Sequence, residues 1–454
     1  MILVNNPGSW GAIYGPLKHA DWHGCTPTDL IFPFFLFIVG VAIPFAFATR
    51  RTKGATTTQL CVSVVFRALS LVMLGLLLVS VPRSLPNPVC PEGSALLGVM
   101  NVSALLFVPM AIVLLLWPWK REWVGNCVVA AVAVCWLVIY LTIYHVPTPE
   151  SGAGYAAGSG LTNPQAMRWP GVLQRIGVVY LFAGMIALLP WRAIAVIAAV
   201  LCVGYTAAMM DYGPTEQSDN LARKIDVAVF GRHAYGAYFN SEGALSYRAY
   251  PDPEGLLSTA TALATCLLGI LAGTWLRTDR PIADRAAGLL AAGVVGSVVG
   301  VVLGWWTIPV NKPIWTASYV VLTAGLACLT FGACFYAIDV KQRRTWCVPF
   351  VAFGMNAITT FLLAGIIGRL MGMIQVPRDW LPPAAPWVKA ATTAPEMIGI
   401  QGFMAQWAGH VGRAITPTAL HTAEAASLAY AVCFVAAFTV LAMGMYRAKI
   451  FLKV

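Results

Sequence analysis

The segment from Lys18 to Asp29 gathers several side chains that can do chemistry, just before a long apolar run. It contains His19, which can exchange a proton near neutral pH, in the company of a lysine, an aspartate and a tryptophan. This company gives a catalytic role for His19 about the same weight as a purely structural one. Asp29 has two interpretations: it binds substrate, or it caps the helix that follows, a role that Thr28 could also fill.

His19 and His23 are four residues apart, the spacing that places two metal ligands on one face of a helix. Gly24 and Pro27 follow so closely that a helix is not expected there, and no third ligand lies nearby in the sequence. We therefore predict no metal site.

Other polar side chains lie within or at the ends of apolar runs, where ionisable groups are rare and usually functional. Besides Asp29, we predict that the substrate is bound by Gln174, Arg175, Asp252, Glu254, Asn311, Lys312 and Asn356. Structural alternatives stay open for some of them. The two carboxylates could complement the positive end of a helix, and Asn356 could bond to a neighbouring helix.

Arg67 lies well inside an apolar run. It could extend its charge towards the membrane surface, or it could bind an anionic cofactor. We predict the cofactor role.

Histidine, lysine, amide, carboxylate and aromatic side chains together suit neutral polar or amine ligands such as sugars, with Trp and Tyr as stacking faces. The sequence contains no P-loop, no dinucleotide-binding fingerprint and no nucleophile elbow of a serine hydrolase. Nucleotide-driven transport, hydride transfer and serine hydrolysis therefore gain no support.

The composition defines the environment in which these residues work. Of the 454 residues, 59% are hydrophobic and only 10% are charged, whereas soluble domains carry about 25% charged residues. There is too little charge to cover a water-facing surface, so a soluble enzyme, a disordered chain and a disulfide scaffold are excluded. The net charge of +11 does not indicate a nucleic-acid partner, because the basic residues form short clusters between apolar runs.

The apolar runs are long enough for membrane helices, which need about 20 residues each. Eleven full spans are predicted at 29–49, 60–81, 95–118, 124–145, 171–190, 193–211, 255–276, 286–308, 316–337, 346–373 and 425–446. Residues 1–7 form a twelfth, truncated span. We therefore predict an all-α polytopic bundle of about 11–12 transmembrane helices in a single domain covering 1–454.

Six basic clusters fall between alternate spans, and all lie on one side of the predicted bundle. They begin at Arg50, Lys120, Arg192, Arg277, Lys341 and Arg447. The positive-inside rule makes that side cytoplasmic. The loops at 8–28, 82–94, 146–170, 212–254, 309–315 and 374–424 then face outwards, and we expect the substrate site among them.

The start of the chain conflicts with this topology, because it places the charged amino group of Met1 inside the membrane, where it is costly. We expect that the start codon is misassigned and that about 15–20 residues of the first helix are missing. A signal peptide is not expected, since the opening has no basic region and no cleavage site.

Five motifs occur in order along the chain: LKHADWHGCTPTDLIFPFFLFIVG, PGVLQRIGVVY, DPEGLLSTATALATCLLGILAG, PVNKPIWTASYV and FGMNA. Together they resemble the transmembrane acetyltransferases related to heparan-α-glucosaminide N-acetyltransferase, nearly from end to end. Residues 84–168 are longer than the equivalent part of the lysosomal enzyme, and they predict a two-helix insertion.

The resemblance implies transfer of an acetyl group from cytoplasmic acetyl-CoA to the amine of a glucosamine-type sugar across the membrane. It implies that His19 is the essential histidine and that Asn5 matches an upstream asparagine, a candidate donor to the reaction's oxyanion. His19 is either acetylated itself or acts as a base in a ternary complex. For this chain the resemblance implies a bacterial inner membrane, a site facing the periplasm and an envelope amino sugar or glycan as acceptor.

Two other functions stay open: a transporter or flippase for a sugar-containing compound, and an O-acyltransferase of the same architecture. The predicted partners are acetyl-CoA, the acceptor and the lipid bilayer. The sequence leaves the choice between a monomer and a homodimer open.

Overall fold

The computed structural model describes residues 1–80, 168–239, 245–377, 397–415 and 422–451, and nearly all their regular structure is helical. The helices are α1 (Ile2–Asn5), α2 (Ile31–Thr52), α3 (Thr57–Ser80), α4 (Val172–Ile186), α5 (Trp191–Tyr212), α6 (Leu221–Phe230), α7 (Leu256–Leu276), α8 (Ile282–Trp306), α9 (Ala317–Phe335), α10 (Val348–Met355), α11 (Ala357–Met373), α12 (Ile400–Ile415) and α13 (Ala423–Arg447).

The prediction of an all-α, multi-pass membrane protein is confirmed. Within the described ranges, seven helical segments are long and apolar enough to cross a membrane, and a bent pair makes up to eight. They are Pro27–Thr52, Thr57–Leu76, Trp191–Tyr212, Leu256–Leu276, Ile282–Trp306, Ala317–Val340 and Ala423–Arg447. The predicted span at 171–190 forms the shorter apolar helix α4. The spans at 95–118 and 124–145, and nearly all of the insertion at 84–168, lie outside the described residues.

The predicted span at 346–373 is not one continuous helix. It breaks at Asn356 into α10 and α11, whose axes differ by 72°. Asn356 leaves the helical conformation, with φ −129° and ψ 33°, although the predicted span is mostly apolar on both sides of this amide. The prediction of a single span at this place was therefore wrong in its detail.

The loops between spans contain elements that the sequence pattern did not predict. Helices α6 and α12 lie within 212–254 and 374–424, and each has one apolar face and one polar face. Two antiparallel hairpins accompany them: β1 (Ala237–Phe239) with β2 (Leu245–Tyr247), and β3 (Gln375–Pro377) with β4 (Met397–Gly399). At the start of the chain only the four-residue helix α1 forms.

Helices α2 and α7 touch backbone to backbone because glycines of each helix lie against the backbone of the other. A Cβ atom built on Gly40 would lie 2.0 Å from the carbonyl oxygen of Cys266, and one on Gly269 would lie 2.1 Å from that of Phe37. Small residues at helix contacts permit this approach in membranes, where van der Waals packing contributes much of helix association. The contact holds the middle of α2 against the middle of α7.

Several helix ends and loops converge at one end of the bundle, called here the His19 end. It comprises the segments 18–30, 168–175, 250–258 and 309–316. Hydrogen bonds join them across long sequence separations: Asn311 Nδ2 donates to the Trp22 carbonyl oxygen at 2.9 Å, and Trp22 Nε1 donates to that of Thr215 at 3.1 Å. The basic clusters after α2 and α7 lie at the other end of helices about 30 Å long.

Candidate active site

The loop that carries His19 is tied to the first turn of the α2 span by Asp29. Thr26 is the N-cap of the short turn Pro27–Leu30, and Thr26 and Asp29 form a reciprocal capping box. The Oδ2 atom of Asp29 accepts bonds from Ala20 N at 3.1 Å, Thr26 N at 3.0 Å and Thr26 Oγ1 at 3.0 Å. Thr28, one of the two predicted caps, instead donates to the Pro16 carbonyl oxygen at 3.2 Å.

The other carboxylate oxygen of Asp29 faces His19. The distance from His19 Nδ1 to Asp29 Oδ1 is 2.6 Å. The aspartate side chain is 1% exposed and the histidine side chain 56% exposed, so a buried carboxylate holds an accessible imidazole. Asp29 therefore caps the helix, as one of its two interpretations predicted, and it also orients His19. Substrate binding by Asp29 stays a prediction.

Lys312 completes this cluster from a distant loop. Its Nζ atom lies 3.3 Å from Asp29 Oδ1, 2.9 Å from His19 Nδ1 and 3.3 Å from His19 Nε2. Burial lowers the pKa of Lys312, although the charges of Asp29 and Glu254 oppose that shift. A buried lysine of this kind loses its proton more readily than an ordinary surface lysine.

Asn311 positions the Lys312 loop. Its side chain is fully buried, and its Oδ1 atom accepts from the backbone N–H of Ile314 at 3.1 Å. Together with the Nδ2 bond to the Trp22 carbonyl, these contacts occupy the amide. The structure thus places the predicted binding residue Asn311 behind the His19 cluster as part of its support.

Trp315 ends the same turn in a strained conformation. Its φ of 51° lies in the left-handed region, which costs a bulky residue about 1–3 kcal/mol. The buried ring is fixed by a bond from Nε1 to Thr265 Oγ1 at 3.2 Å and by edge contacts with Phe32 and Tyr319 at 5.2 Å. Arg175 lies over its face at 5.1 Å. Strain held in place this firmly is typical of functional sites.

Asp252 and Glu254 are joined by Arg168, which sequence reasoning did not select. Arg168 donates to both carboxylates, including an Nε contact of 3.1 Å to Asp252 Oδ2. Burial alone would lower the pKa of Arg168, but Glu254 and Asp252 outweigh it and raise that pKa. Burial alone would raise the pKa of Glu254, but Arg168 and Arg175 lower it. Arg168 and Glu254 are therefore both charged at neutral pH.

Arg175 lies deeper, at the start of α4. Its Nη2 atom donates to the Gly255 carbonyl oxygen at 3.0 Å and to Ser258 Oγ. Its Nε and Nη1 atoms, and Nε2 of the adjacent Gln174, are buried donors without a partner among the described residues. Unpartnered buried donors are costly, so this place suits a ligand or water that accepts hydrogen bonds.

Asp226 of α6 is a second residue that the sequence pattern missed. It is 2% exposed, and its Oδ1 atom accepts from the backbone N–H of Leu256 at 2.7 Å, at the start of α7. Burial, reinforced by the charge of Asp252, raises the pKa of Asp226 to about 7. The sequence offered Asp252 and Glu254 as carboxylates that could complement the start of α7. In the structure, Asp226 is the carboxylate that accepts from a backbone N–H there.

Three predicted site residues lie apart from His19. Asn5 is exposed on α1, and the described residues show no hydrogen bond between Asn5 and His19. Asn356 is buried at the break between α10 and α11, where its Nδ2 atom donates to the Ile450 carbonyl oxygen at 3.1 Å. Arg67 lies in mid-helix on α3, with its guanidinium 5.1 Å from the centre of the Tyr180 ring.

In the described part of the chain, no group of three or more His, Cys, Asp and Glu side chains is placed to hold a metal ion. His23, which is spaced from His19 like a second metal ligand, has its Nδ1 atom 3.5 Å from Asn311 Nδ2.

Comparison with known proteins gives two relatives. The chain is 25% identical to heparan-alpha-glucosaminide N-acetyltransferase from Homo sapiens and 23% identical to the protein of that name from Mus musculus. Each match covers 80% of this chain and 50% of the relative, so the chain spans about half the length of these curated relatives. No family model matches the chain. The resemblance in the motifs is thereby confirmed: over 80% of its length, this multi-pass membrane protein is similar to heparan-alpha-glucosaminide N-acetyltransferases.

Proposed function

We propose that this protein transfers an acetyl group from acetyl-CoA, supplied at the cytoplasmic end, to the amine of a sugar at the His19 end. The observation that carries the proposal is the exposed imidazole of His19 held by the buried carboxylate of Asp29 at 2.6 Å. A histidine fixed through one nitrogen by a carboxylate is suited to act as a base through the other.

The tautomer follows from the contacts of Asp29. Three donors at Oδ2 and the Lys312 ammonium at Oδ1 favour the ionised carboxylate. The proton on the imidazole then lies on Nδ1, towards Asp29, and Nε2, which lies 3.3 Å from Lys312 Nζ, is the nitrogen that carries a lone pair. We assign Nε2 of His19 as the reacting atom.

The amine nitrogen attacks the thioester carbonyl carbon, so a C–N bond forms and the C–S bond breaks. Nε2 of His19 removes the proton from the amine and returns it to the departing CoA sulfur, which leaves as the thiol. Alternatively, Nε2 attacks first and forms an acetyl-imidazole, the C–S bond breaks and CoA leaves as the thiolate. The amine then displaces the imidazole, and its proton passes to Nε2 and on to the thiolate or to solvent. Both routes balance without a metal or an oxidant.

A tetrahedral intermediate carries a negative oxygen that needs hydrogen-bond donors. Asn5 is the donor implied by the family resemblance, but its side chain lies on the exposed face of α1. The partnerless donors of Gln174 and Arg175 are buried at the His19 end. We propose these two residues for the oxyanion role that the sequence suggested for Asn5.

Acetyl-CoA, the donor of the acetyl group, must reach His19 from the other end of the bundle. Arg67 lies ten residues after the start of α3, about 15 Å along the helix from its cytoplasmic end. A cation at this depth is rare unless it has a functional partner. We propose that Arg67 contacts an anionic or polar part of CoA, and that the protein lies in a bacterial inner membrane with the His19 end in the periplasm.

The direct test is acetyl transfer by the purified full-length chain in lipid nanodiscs, with labelled acetyl-CoA and glucosamine as acceptor. We expect acetylated glucosamine and free CoA in equal amounts. Labelled protein formed in the absence of acceptor would select the acetyl-imidazole route. Absence of transfer to any amine or alcohol would contradict the proposal, and transfer to hydroxyls alone would select the O-acyltransferase alternative.

One observation favours the transporter alternative, the bend of 72° between α10 and α11. Interrupted helices at membrane depth are common at transporter substrate sites. Uptake of a labelled amino sugar into proteoliposomes without acetyl-CoA would support a transporter. Uptake that is absent, while acetyl transfer proceeds, would exclude that function.

A further inference from the structure

We propose that Trp22, Tyr235 and Tyr250 form a carbohydrate-binding surface, with Arg168 and Glu254 at its base, that selects a sugar ring as the acceptor. This inference rests on the proposed acetyl transfer and deepens it, because it names the part of the acceptor that is recognised. The surface is called here the aromatic wall.

The aromatic wall is a continuous chain of ring contacts. The ring centres of Trp22 and Tyr250 are 6.3 Å apart at an interplanar angle of 76°, and those of Tyr235 and Tyr250 are 6.2 Å apart at 64°. Tyr235 is 38% exposed, so one ring of the wall presents a large area to its surroundings. Rings fixed edge to face in this way form a rigid stacking surface.

The aromatic wall joins the two charged clusters of the His19 end. Trp22 is three residues from His19 and is anchored by its Nε1 bond to the Thr215 carbonyl oxygen at 3.1 Å. At the other side, the guanidinium of Arg168 lies 4.5 Å from the centre of the Tyr235 ring. A ligand on the wall would therefore lie between His19 and the carboxylates held by Arg168.

Tyr250, in the middle of the wall, contacts the ring of Trp22, which is three residues from His19. Burial raises the pKa of its hydroxyl, and the negative charge of Asp29 adds to that shift. Glu254 likewise acts on Lys312, since its charge opposes the lowering of that lysine's pKa. The contacts of Trp22 with Tyr250, of Tyr250 with Tyr235 and of Tyr235 with Arg168 thus link the His19 loop to the Arg168 cluster.

A sugar ring matches this arrangement better than a simple amine does. Its apolar face of C–H groups can stack on an aromatic ring, while its hydroxyls need charged or polar partners at the rim. Arg168 and Glu254 supply such partners beside the rings. Aromatic residues also occur in membrane-interface belts, but a belt residue has no reason to contact an Arg–carboxylate cluster.

The test compares a sugar amine with an amine that lacks a ring. Methyl glucosaminide and ethanolamine would be assayed as acceptors with acetyl-CoA, using the wild-type chain, Tyr235→Ala and Tyr235→Phe. We expect Tyr235→Ala to raise KM for methyl glucosaminide about tenfold, the effect of losing about 1.4 kcal/mol of binding, with kcat unchanged. Tyr235→Phe should restore KM, and ethanolamine kinetics should not change.

Trp306→Ala is the matched control, since Trp306 is 80% exposed at the same end of the bundle and should leave all constants unchanged. Equal KM effects on both acceptors, or equal effects of Trp306→Ala and Tyr235→Ala, would overturn the aromatic wall while leaving acetyl transfer intact. Binding without acetyl-CoA is followed by saturation-transfer NMR with methyl glucosaminide. Saturation transfer to the sugar-ring protons that is seen with the wild-type chain and lost in Tyr235→Ala would support the aromatic wall, even if no acetyl transfer were observed.

Discussion

At the scale of single residues, Asp29 serves the fold and the chemistry with different oxygens. Oδ2 closes the capping box at the start of the α2 span, and Oδ1 holds His19 and pairs with Lys312. The first role fixes the carboxylate, and the fixed carboxylate then fixes the imidazole. This double use explains why the loop needs no helix to position its histidine.

Asp29→Asn should separate these roles. The amide oxygen can still accept a bond at the cap, but the side chain no longer carries a charge that favours the Nδ1–H tautomer. We expect kcat for acetyl transfer to fall about 10²- to 10⁴-fold, with a modest change in melting temperature. A variant that melts far below wild type would show that Asp29 acts mainly on the fold.

The sequence identified His19, Asp29 and Lys312 but could not pair them. Lys312 comes from a loop almost 300 residues away, and such contacts depend on helix packing that local patterns do not encode. Arg168 was missed for the same reason, since its partner Asp252 is 84 residues further along the chain. Asn5 was chosen by resemblance, and the structure places it on an exposed face of α1.

At the scale of elements, glycine contacts and charged caps hold the helices that carry the site. Spans were predictable because an apolar run of about 20 residues has few other stable arrangements. The break at Asn356 was not, because it depends on an acceptor supplied by Ile450 beyond α13. The helices α6 and α12 were missed because each carries many polar residues on one face, so neither forms a continuous apolar run.

Gly269→Ala should destabilise the α2–α7 contact, since the added Cβ would lie 2.1 Å from the Phe37 carbonyl oxygen. We expect a lower melting temperature in detergent and reduced transfer, because the turn directly before α2 carries Asp29. Gly204→Ala in α5 is the control, where nothing lies within 4 Å. There the better helix propensity of alanine should leave stability equal or higher by up to about 1 kcal/mol. Equal losses in both variants would contradict the packing account.

Asp226 predicts a pH dependence of stability. Its folded pKa of about 7 lies above the ordinary value of 3.8, so its contribution is fully present below pH 3.8 and is lost as pH rises through 7. Asp226→Asn keeps the oxygen that accepts from Leu256 N and removes this loss, which amounts to at most about 4 kcal/mol. Thermal melts at pH 5 and pH 8 should show a smaller decline for Asp226→Asn than for wild type. Parallel declines would rule out Asp226 as the cause.

At the scale of the whole molecule, the account requires that the His19 end and the basic clusters face opposite sides of the membrane. Asp21→Cys places a thiol at the His19 end and Arg51→Cys places one after α2, both at exposed positions. The native Cys25 thiol should give little background, because burial raises its pKa to about 12 and the thiolate is the reactive form.

A membrane-impermeant maleimide applied to spheroplasts should label Asp21→Cys and should label Arg51→Cys only after lysis. The unmodified chain gives the background of its 11 cysteines. Labelling in the reverse order would place His19 on the cytoplasmic side and would contradict transfer across the membrane.

The central claim is that the imidazole of His19 performs the transfer, and His19→Ala tests it most directly. The matched control is His23→Ala, four residues along the same loop. With labelled acetyl-CoA and methyl glucosaminide, His19→Ala should lose transfer by at least about 10³-fold while melting and eluting like wild type, and His23→Ala should keep most of it. Wild-type turnover by folded His19→Ala would contradict the account.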